Sequence, residues 1–132
     1  EKMAEMATRS IKLNNLENRI KIINEDIKNL NNIFEKETFD AVVTNPPYKN
    51  LKAERNQYSD NDTYEMDRKK YEEASKIVSK RFFYSTDGIL NLYKLFVEEI
   101  IDRYANKNAY ISLLIPSSIL SDKTCEKLRT QN

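Results

Sequence analysis

The chain has 132 residues, with 22 basic and 21 acidic side chains, one cysteine and no histidine. This length is sufficient for one hydrophobic core. The sequence contains no run of eighteen apolar residues and no signal-peptide pattern, which predicts a cytoplasmic domain without a membrane segment. Because Cys125 is alone and histidine is absent, a disulfide, a zinc cluster and histidine-based acid–base catalysis are excluded within the chain, and no metal site is predicted.

The near-neutral charge balance says little about partners, because a stand-alone nucleic-acid-binding domain is usually more basic.

The first segment is predicted to be a helix over residues 2–14, ended by the asparagine pair at 14–15. Isoleucines then predict a strand over residues 19–24. Asp26 and Ile27 follow it, at the carboxyl end where open α/β sheets bind ligands. Asp26 also suits a turn or a helix N-cap.

The apolar residues 39–44 predict a buried strand that ends directly in Asn45-Pro46-Pro47-Tyr48. Two prolines fix φ and lack an N–H, so this corner is stiff and its carbonyls stay free. The Asn45 side-chain oxygen and the Pro46 carbonyl can hold the two hydrogens of an adenine amino group, and Tyr48 offers a stacking face. The pattern therefore favours methylation of an aromatic amine. The alternative is a Pro-Pro turn that only ends a strand.

Residues 49–88 are polar and predict a mostly helical insertion, with a charged helix from about residue 63 to residue 81. Lys49, Lys52 and Arg55 follow the corner and are placed to contact phosphates near an extruded base. The alternative is a solvated, salt-bridged helix that binds no partner. We favour a lid on the substrate side.

Apolar residues recur at helical spacing over residues 89–104, which predicts a helix whose stripe covers a sheet face and includes Tyr93 in the core. The nearly continuous apolar run over residues 109–115 predicts a parallel strand buried on both faces. Pro116 and Ser117 leave the same sheet edge and are expected to border the target base. A further helix is predicted to begin shortly after them.

Residues 39–48 resemble motif IV of class I S-adenosylmethionine-dependent methyltransferases, whose members methylate adenine in DNA, adenine in RNA or a glutamine side chain in a protein. Three later segments (residues 88–96, 111–120 and 128–129) are similar to adenine-specific DNA methyltransferases of restriction–modification systems, closest to type IIG and related large single-chain enzymes. Residues 1–48 look equally like bacterial tRNA adenine methyltransferases. RNA adenine and protein glutamine methylation therefore stay open, as does a non-catalytic binding fragment.

The DNA resemblance implies N6 methylation of adenine, with S-adenosylmethionine as cofactor and DNA as partner. The implied catalytic residues are Asn45, Pro46, Pro47 and Tyr48. The implied cofactor-binding residues are Asp26, Ile27 and Asn45, with Asp26 at the cofactor's adenine amino group. The implied substrate-binding residues are Tyr48, Lys49, Lys52, Pro116 and Ser117. In the DNA enzymes an aromatic residue often stacks on the second face of the base, and Cys125 stands roughly at that position, where we interpret it as structural.

The fold implied by the resemblance is α/β, a Rossmann-like class I methyltransferase sheet truncated at both ends. The family holds its cofactor over a glycine-rich turn before the catalytic motif, whereas the single glycine, Gly88, comes after it. We expect residues 1–48 to form core, 49–88 an insertion, and 89–132 a core helix, a strand and the start of a helix. The first strand, the glycine-rich turn, the last strands and a target-recognition domain are expected elsewhere in the same enzyme, so these residues alone should be inactive and bind the cofactor poorly.

Overall fold

The computed structural model describes residues 2–25, 29 and 32–131. The chain divides into two compact units, Glu1–Glu35 and Lys36–Asn132. Asp26 and Ile27, the two predicted cofactor residues, lie outside the described residues. In the part of the chain that is described, no helix has the length and apolar character needed to cross a membrane.

The first unit begins with helix α1 (Lys2–Leu13), close to its predicted bounds. The helix ends at the asparagine pair because Asn15 adopts a left-handed φ of 54°, which asparagine tolerates better than most residues. The strand predicted over residues 19–24 is wrong: residue 19 lies in a turn, and residues 20–25 have no regular secondary structure. Isoleucine content alone does not make a strand, which also needs a neighbouring backbone that satisfies its hydrogen bonds.

The second unit contains a parallel pair of strands, β1 (Phe39–Thr44) and β2 (Ala105–Leu113). β1 has its predicted bounds, while β2 begins four residues before the predicted start. Their register pairs Thr44 with Leu113. The carboxyl ends of both strands therefore lie at one edge of the sheet. Within the described residues these two strands form the sheet, and the chain is a mixed α/β protein.

The faces of this sheet are unequally covered. The prediction that β2 is buried on both faces is wrong, because Tyr110 is 84% exposed. Val43 on β1 is 81% exposed. Parallel strands become buried when other elements cover both faces of their sheet, and these two side chains are not covered in the described part of the chain.

Helix α2 (Asn61–Val78) forms most of the predicted charged helix. Asp60 caps it, because its side chain accepts a 2.7 Å hydrogen bond from the Thr63 backbone N–H. None of its described residues is buried. Ion pairs along its surface join Arg68 to Glu65 and Glu72, and Lys70 to Asp67. α2 is therefore a solvated helix stabilised by its own cap and ion pairs.

The core of the second unit is built around helix α3 (Leu92–Glu99), which continues through a wider helical turn (Ile100–Tyr104) directly into β2. The prediction that Tyr93 belongs to the core is confirmed, since that side chain is buried. Ile89 and Ile101, which the predicted stripe included, are exposed: Ile89 precedes α3, and Ile101 lies in the wider turn after it, where the regular α-helical spacing is interrupted. The buried apolar residues are Ala53, Leu90, Tyr93, Leu95, Val97, Ile100, Tyr104, Ala105, Cys125 and Leu128.

The chain after β2 passes through two short 3-10 turns, Ser117–Leu120 and Lys123–Cys125, into helix α4 (Glu126–Thr130). The predicted helix thus starts a few residues later than expected. Leu128 of α4 is buried. This segment completes the second unit beside α3.

Candidate active site

The Asn45–Tyr48 corner lies where β1 ends. The Leu114 backbone N–H donates a 3.1 Å hydrogen bond to the Thr44 carbonyl, which extends the parallel ladder to the last residue of β1. Pro46 is fully buried, whereas Asn45 is exposed. The buried proline anchors the corner, and the Asn45 amide projects from the carboxyl edge of the sheet.

The hydroxyl of Tyr48 connects the ends of both strands. It donates a 2.9 Å hydrogen bond to Oδ1 of Asn45. It is also hydrogen-bonded to the backbone carbonyl of Leu114, 66 residues away in the sequence. The Tyr48 side chain is still 50% exposed, so part of its ring is available to a flat ligand. The structure thus brings together the asparagine and the aromatic residue that the sequence singled out.

A second aromatic residue braces Tyr48 from the core. The rings of Tyr48 and Tyr93 meet edge to face, with centroids 6.2 Å apart and an interplanar angle of 70°. The Tyr93 hydroxyl lies 3.8 Å from Sγ of the buried Cys125. Burial, then the contact with Cys125, raises the pKa of Tyr93 above its ordinary value. Cys125 is therefore packed in the core, as the structural interpretation predicted.

The chain immediately after the corner is pinned to the start of α3. The Leu92 N–H donates to the Lys49 carbonyl at 2.9 Å, and the Leu51 N–H donates to the Leu90 carbonyl at 2.8 Å. Side chains add a 2.7 Å hydrogen bond from Nδ2 of Asn91 to Oδ1 of Asn50. These bonds hold Tyr48 at a fixed distance from α3, which explains its contact with Tyr93.

The predicted basic residues differ in their surroundings. Lys49 and Lys52 are exposed. The guanidinium of Arg55 donates a 2.9 Å hydrogen bond to the Tyr58 carbonyl and lies 5.6 Å from the ring centroid of Tyr64. Arg55 is therefore held by its own segment, while the two lysines leave their charge in solvent.

Pro116 and Ser117, the predicted substrate residues of the second segment, lie just after the carboxyl end of β2. Pro116 is half-buried and precedes the Ser117–Leu120 turn, whose Ile119 N–H donates to the Pro116 carbonyl at 3.1 Å. Ser117 is exposed. Because Leu114 is hydrogen-bonded to Tyr48, this turn begins close to the corner in space.

Two buried charged residues on α3 were missed by the sequence analysis. Glu98 accepts hydrogen bonds from three successive backbone N–H groups, those of Phe83 (2.7 Å), Tyr84 (3.2 Å) and Ser85 (2.8 Å), and from the Ser85 hydroxyl. Lys94, one helical turn earlier, donates at 2.8 Å to Oγ1 of Thr124. The sequence signal that could have indicated them is the spacing of Lys94 and Glu98, which lie four residues apart beside the apolar stripe of α3.

An open groove of about 540 Å³ lies within the first unit, lined by α1 and by Ile22 and Asn24. None of its lining residues was predicted to act in catalysis or binding. The corner in the second unit, by contrast, combines an exposed amide, a half-exposed ring and two exposed lysines. This combination suits the binding of a flat polar group next to a phosphate chain.

Comparison with known proteins identifies a family. A family model described as Eco57I restriction-modification methylase matches residues 2–132. No curated protein and no solved structure matches the chain. Membership of a restriction–modification methylase family implies methyl transfer, a DNA substrate and a methyl donor of the S-adenosylmethionine type. Because the match spans nearly every residue, the chain belongs to the Eco57I restriction-modification methylase family.

Proposed function

We propose that the chain is the catalytic part of an adenine-specific DNA methyltransferase, which transfers a methyl group from S-adenosylmethionine to the N6 amino group of adenine. The proposed fold is a Rossmann-like class I sheet to which β1 and β2 contribute. The observation that carries the proposal is the exposed Asn45 amide at the carboxyl edge of β1, with the half-exposed Tyr48 beside it. Open α/β sheets bind ligands at this edge.

The chemical problem is that the adenine amino group is a poor nucleophile, because its lone pair is delocalised into the ring. Oδ1 of Asn45 and the Pro46 carbonyl are two acceptors that can hold its two hydrogens and turn the lone pair out of the ring plane. Among the described residues, no hydrogen bond reaches the Pro46 carbonyl. Because Pro46 is fully buried, the base must displace the packing over this residue to reach that carbonyl. The bound cofactor supplies an electrophilic methyl group on a sulfonium. The surplus proton on the methylated nitrogen then leaves to water.

The neighbouring residues are assigned to the base and to the DNA backbone. Tyr48 stacks on the extruded adenine, and Pro116 and Ser117 border it from the end of β2. Lys49 and Lys52 contact phosphates beside the extruded nucleotide, which their exposed charges support. Arg55 is a weaker candidate for this role, since its guanidinium already binds within its own segment.

The cofactor is assigned to Asp26, Ile27 and Asn45. Asn45 is the described member of this set, and its exposed amide fits contact with a bound ligand. We assign the glycine-rich turn to another part of the same enzyme, because Gly88, the single glycine of this chain, follows the corner.

The proposal is tested with Asn45→Ala in the full-length protein. Loss of one of the two acceptors should lower methyl transfer about 10²- to 10³-fold, the usual cost of removing one preorganised hydrogen-bonding group from a reaction centre. Transfer of labelled methyl from S-adenosylmethionine to unmethylated DNA measures the rate, and calorimetry should show that the cofactor still binds, with an affinity reduced far less than the rate because Asp26 and Ile27 remain. Asn108→Ala, at an exposed position in β2, is the matched control. Full turnover by Asn45→Ala would contradict the assigned role.

The substrate class is tested separately. RNA adenine and protein glutamine methyltransferases share the same corner, but membership of a restriction–modification family favours DNA. Labelled methyl transfer to DNA, tRNA and protein, run in parallel with mass spectrometry of the product, distinguishes the three. N6-methyladenine in DNA is the expected product, and label on RNA alone would overturn the choice of substrate.

A further inference from the structure

The hydroxyl of Tyr48 has a place in the structure that stacking does not require. A phenylalanine would present the same flat face to a base. The hydroxyl nevertheless lies between two acceptors, Oδ1 of Asn45 at 2.9 Å and the Leu114 carbonyl. A group bonded to both strand ends has a role in the geometry of the corner as well as in binding the base.

We infer that Tyr48 is a positioning residue for the reaction, whose hydroxyl holds Oδ1 of Asn45 in place to accept a hydrogen from the substrate amino group. This inference rests on the proposed function. Asn45 is exposed, so packing does not restrain its amide. Among the described residues, the hydroxyl of Tyr48 supplies the side-chain hydrogen bond of Asn45. A reacting group is effective only when its supporting contacts hold it in the productive geometry.

Tyr48 can act as a restraint because it is itself restrained. Its hydroxyl is bonded to the Leu114 backbone, which belongs to the β-ladder through the bond from Leu114 N–H to Thr44. Its ring contacts Tyr93, which is buried on α3. The position of the Asn45 amide is thereby set by the two strand ends and the core helix together.

The arrangement leaves room for the substrate. An amide oxygen has two lone pairs, so Oδ1 of Asn45 can accept from Tyr48 and from an amino group at the same time. The phenolic proton is shared between Oδ1 and the Leu114 carbonyl. When the substrate amino group binds, the O–H can turn further toward the Leu114 carbonyl while the proton stays on the phenol, so that a lone pair of Oδ1 remains open to the substrate. The hydroxyl thus orients the acceptor without competing for it.

The test uses Tyr48→Phe in the full-length protein, once the methylated site has been mapped with the wild type. The ring is kept, so the KM for DNA should be unchanged, as should the fluorescence increase of 2-aminopurine placed at the target position. The kcat for N6-methyladenine formation should fall on the order of tenfold, because a loosened acceptor is less often aligned. Tyr48→Ala should lose both the fluorescence increase and turnover. Tyr110→Phe, which removes a phenol from an exposed position on β2, should change none of these values.

The outcomes are separable. Unchanged kcat in Tyr48→Phe would overturn the positioning role, and increased kcat would show instead that the hydroxyl blocks the acceptor. A fall in kcat accompanied by loss of the fluorescence increase would also overturn it, because the defect would then lie in placing the base. A wild-type enzyme that forms no N6-methyladenine in DNA would overturn the proposed function and this inference together, whereas an active wild type with a normal Tyr48→Phe variant overturns the inference alone.

Discussion

Glu98 is a buried carboxylate on α3 that holds residues 83–85 against the helix. Both hydrogen-bond donors of Ser85, its backbone N–H and its hydroxyl, donate to Glu98, and Ser85 is fully buried. Phe83 and Tyr84 are exposed, so their N–H groups can return to water when the carboxylate is removed. The cost of losing Glu98 therefore falls mainly on Ser85.

The expected magnitude follows from that difference. A buried donor left unsatisfied costs about 1–3 kcal/mol. Glu98→Ala leaves the two donors of Ser85 unsatisfied, so at about 2 kcal/mol each it should destabilise the packing of residues 83–85 by about 4 kcal/mol. Glu98→Gln keeps one oxygen for Ser85 and turns an NH₂ group toward the Phe83 N–H, which can find water. The glutamine variant should therefore cost about 1–2 kcal/mol.

Hydrogen exchange of the full-length protein, followed by mass spectrometry of peptides that cover residues 83–85, measures this effect locally. A change of 4 kcal/mol corresponds to about 10³-fold faster exchange. The matched control is Glu99→Ala at the next position of α3, where the carboxylate pairs with the half-exposed Arg81. That pair should contribute less than about 1 kcal/mol. Equal exchange in Glu98→Ala and Glu99→Ala would refute the reasoning.

Three further predictions concern the cap of α2, a glycine turn and the DNA contacts. The hydrogen bonds that Asp60 accepts lower its pKa. Its stabilisation of α2 is therefore present above about pH 4 and lost as the pH falls further. The hydrogen-exchange rates of residues 61–64, corrected for the intrinsic effect of pH, should change less below about pH 4 in Asp60→Asn than in the wild type. Gly88→Ala should lower the free energy of unfolding by about 1–3 kcal/mol, because φ is +72° and the new Cβ would lie 2.7 Å from Cγ2 of Thr124. In a urea titration, adding Thr124→Ser should recover part of this stability. An unchanged free energy of unfolding in Gly88→Ala would contradict the argument. Lys49→Ala and Lys52→Ala should each reduce the salt slope of DNA affinity by about one, and unchanged slopes would contradict phosphate contact.

The sequence was informative where a structure depends on nearby residues. Helix α1 ends at Leu13, just before the asparagine pair, because Asn15 adopts a left-handed φ at little cost. Helix α2 begins after Asp60 because that side chain satisfies an N–H of the first turn. The stiff corner after β1 follows from two prolines, whatever surrounds them. Each of these features is decided by interactions within a few residues.

The sequence was misleading where a structure depends on distant partners. The isoleucines of residues 19–24 predicted a strand, but a strand also needs a hydrogen-bonded neighbour, which composition does not specify. The apolar run in β2 predicted burial on both faces, yet Tyr110 is exposed, because burial depends on which elements cover the sheet.

The candidate site divides in the same way. The residue types at the corner, an asparagine acceptor and an aromatic face, could be read from Asn45 and Tyr48 alone. Their fixed relation could not, since it depends on the Leu114 carbonyl, 66 residues beyond Tyr48, and on the ring of Tyr93. A sequence specifies which groups can donate, accept or stack, because these are properties of single residues. Only the folded chain decides which of them meet, because long-range contacts arise from the packing of the whole unit.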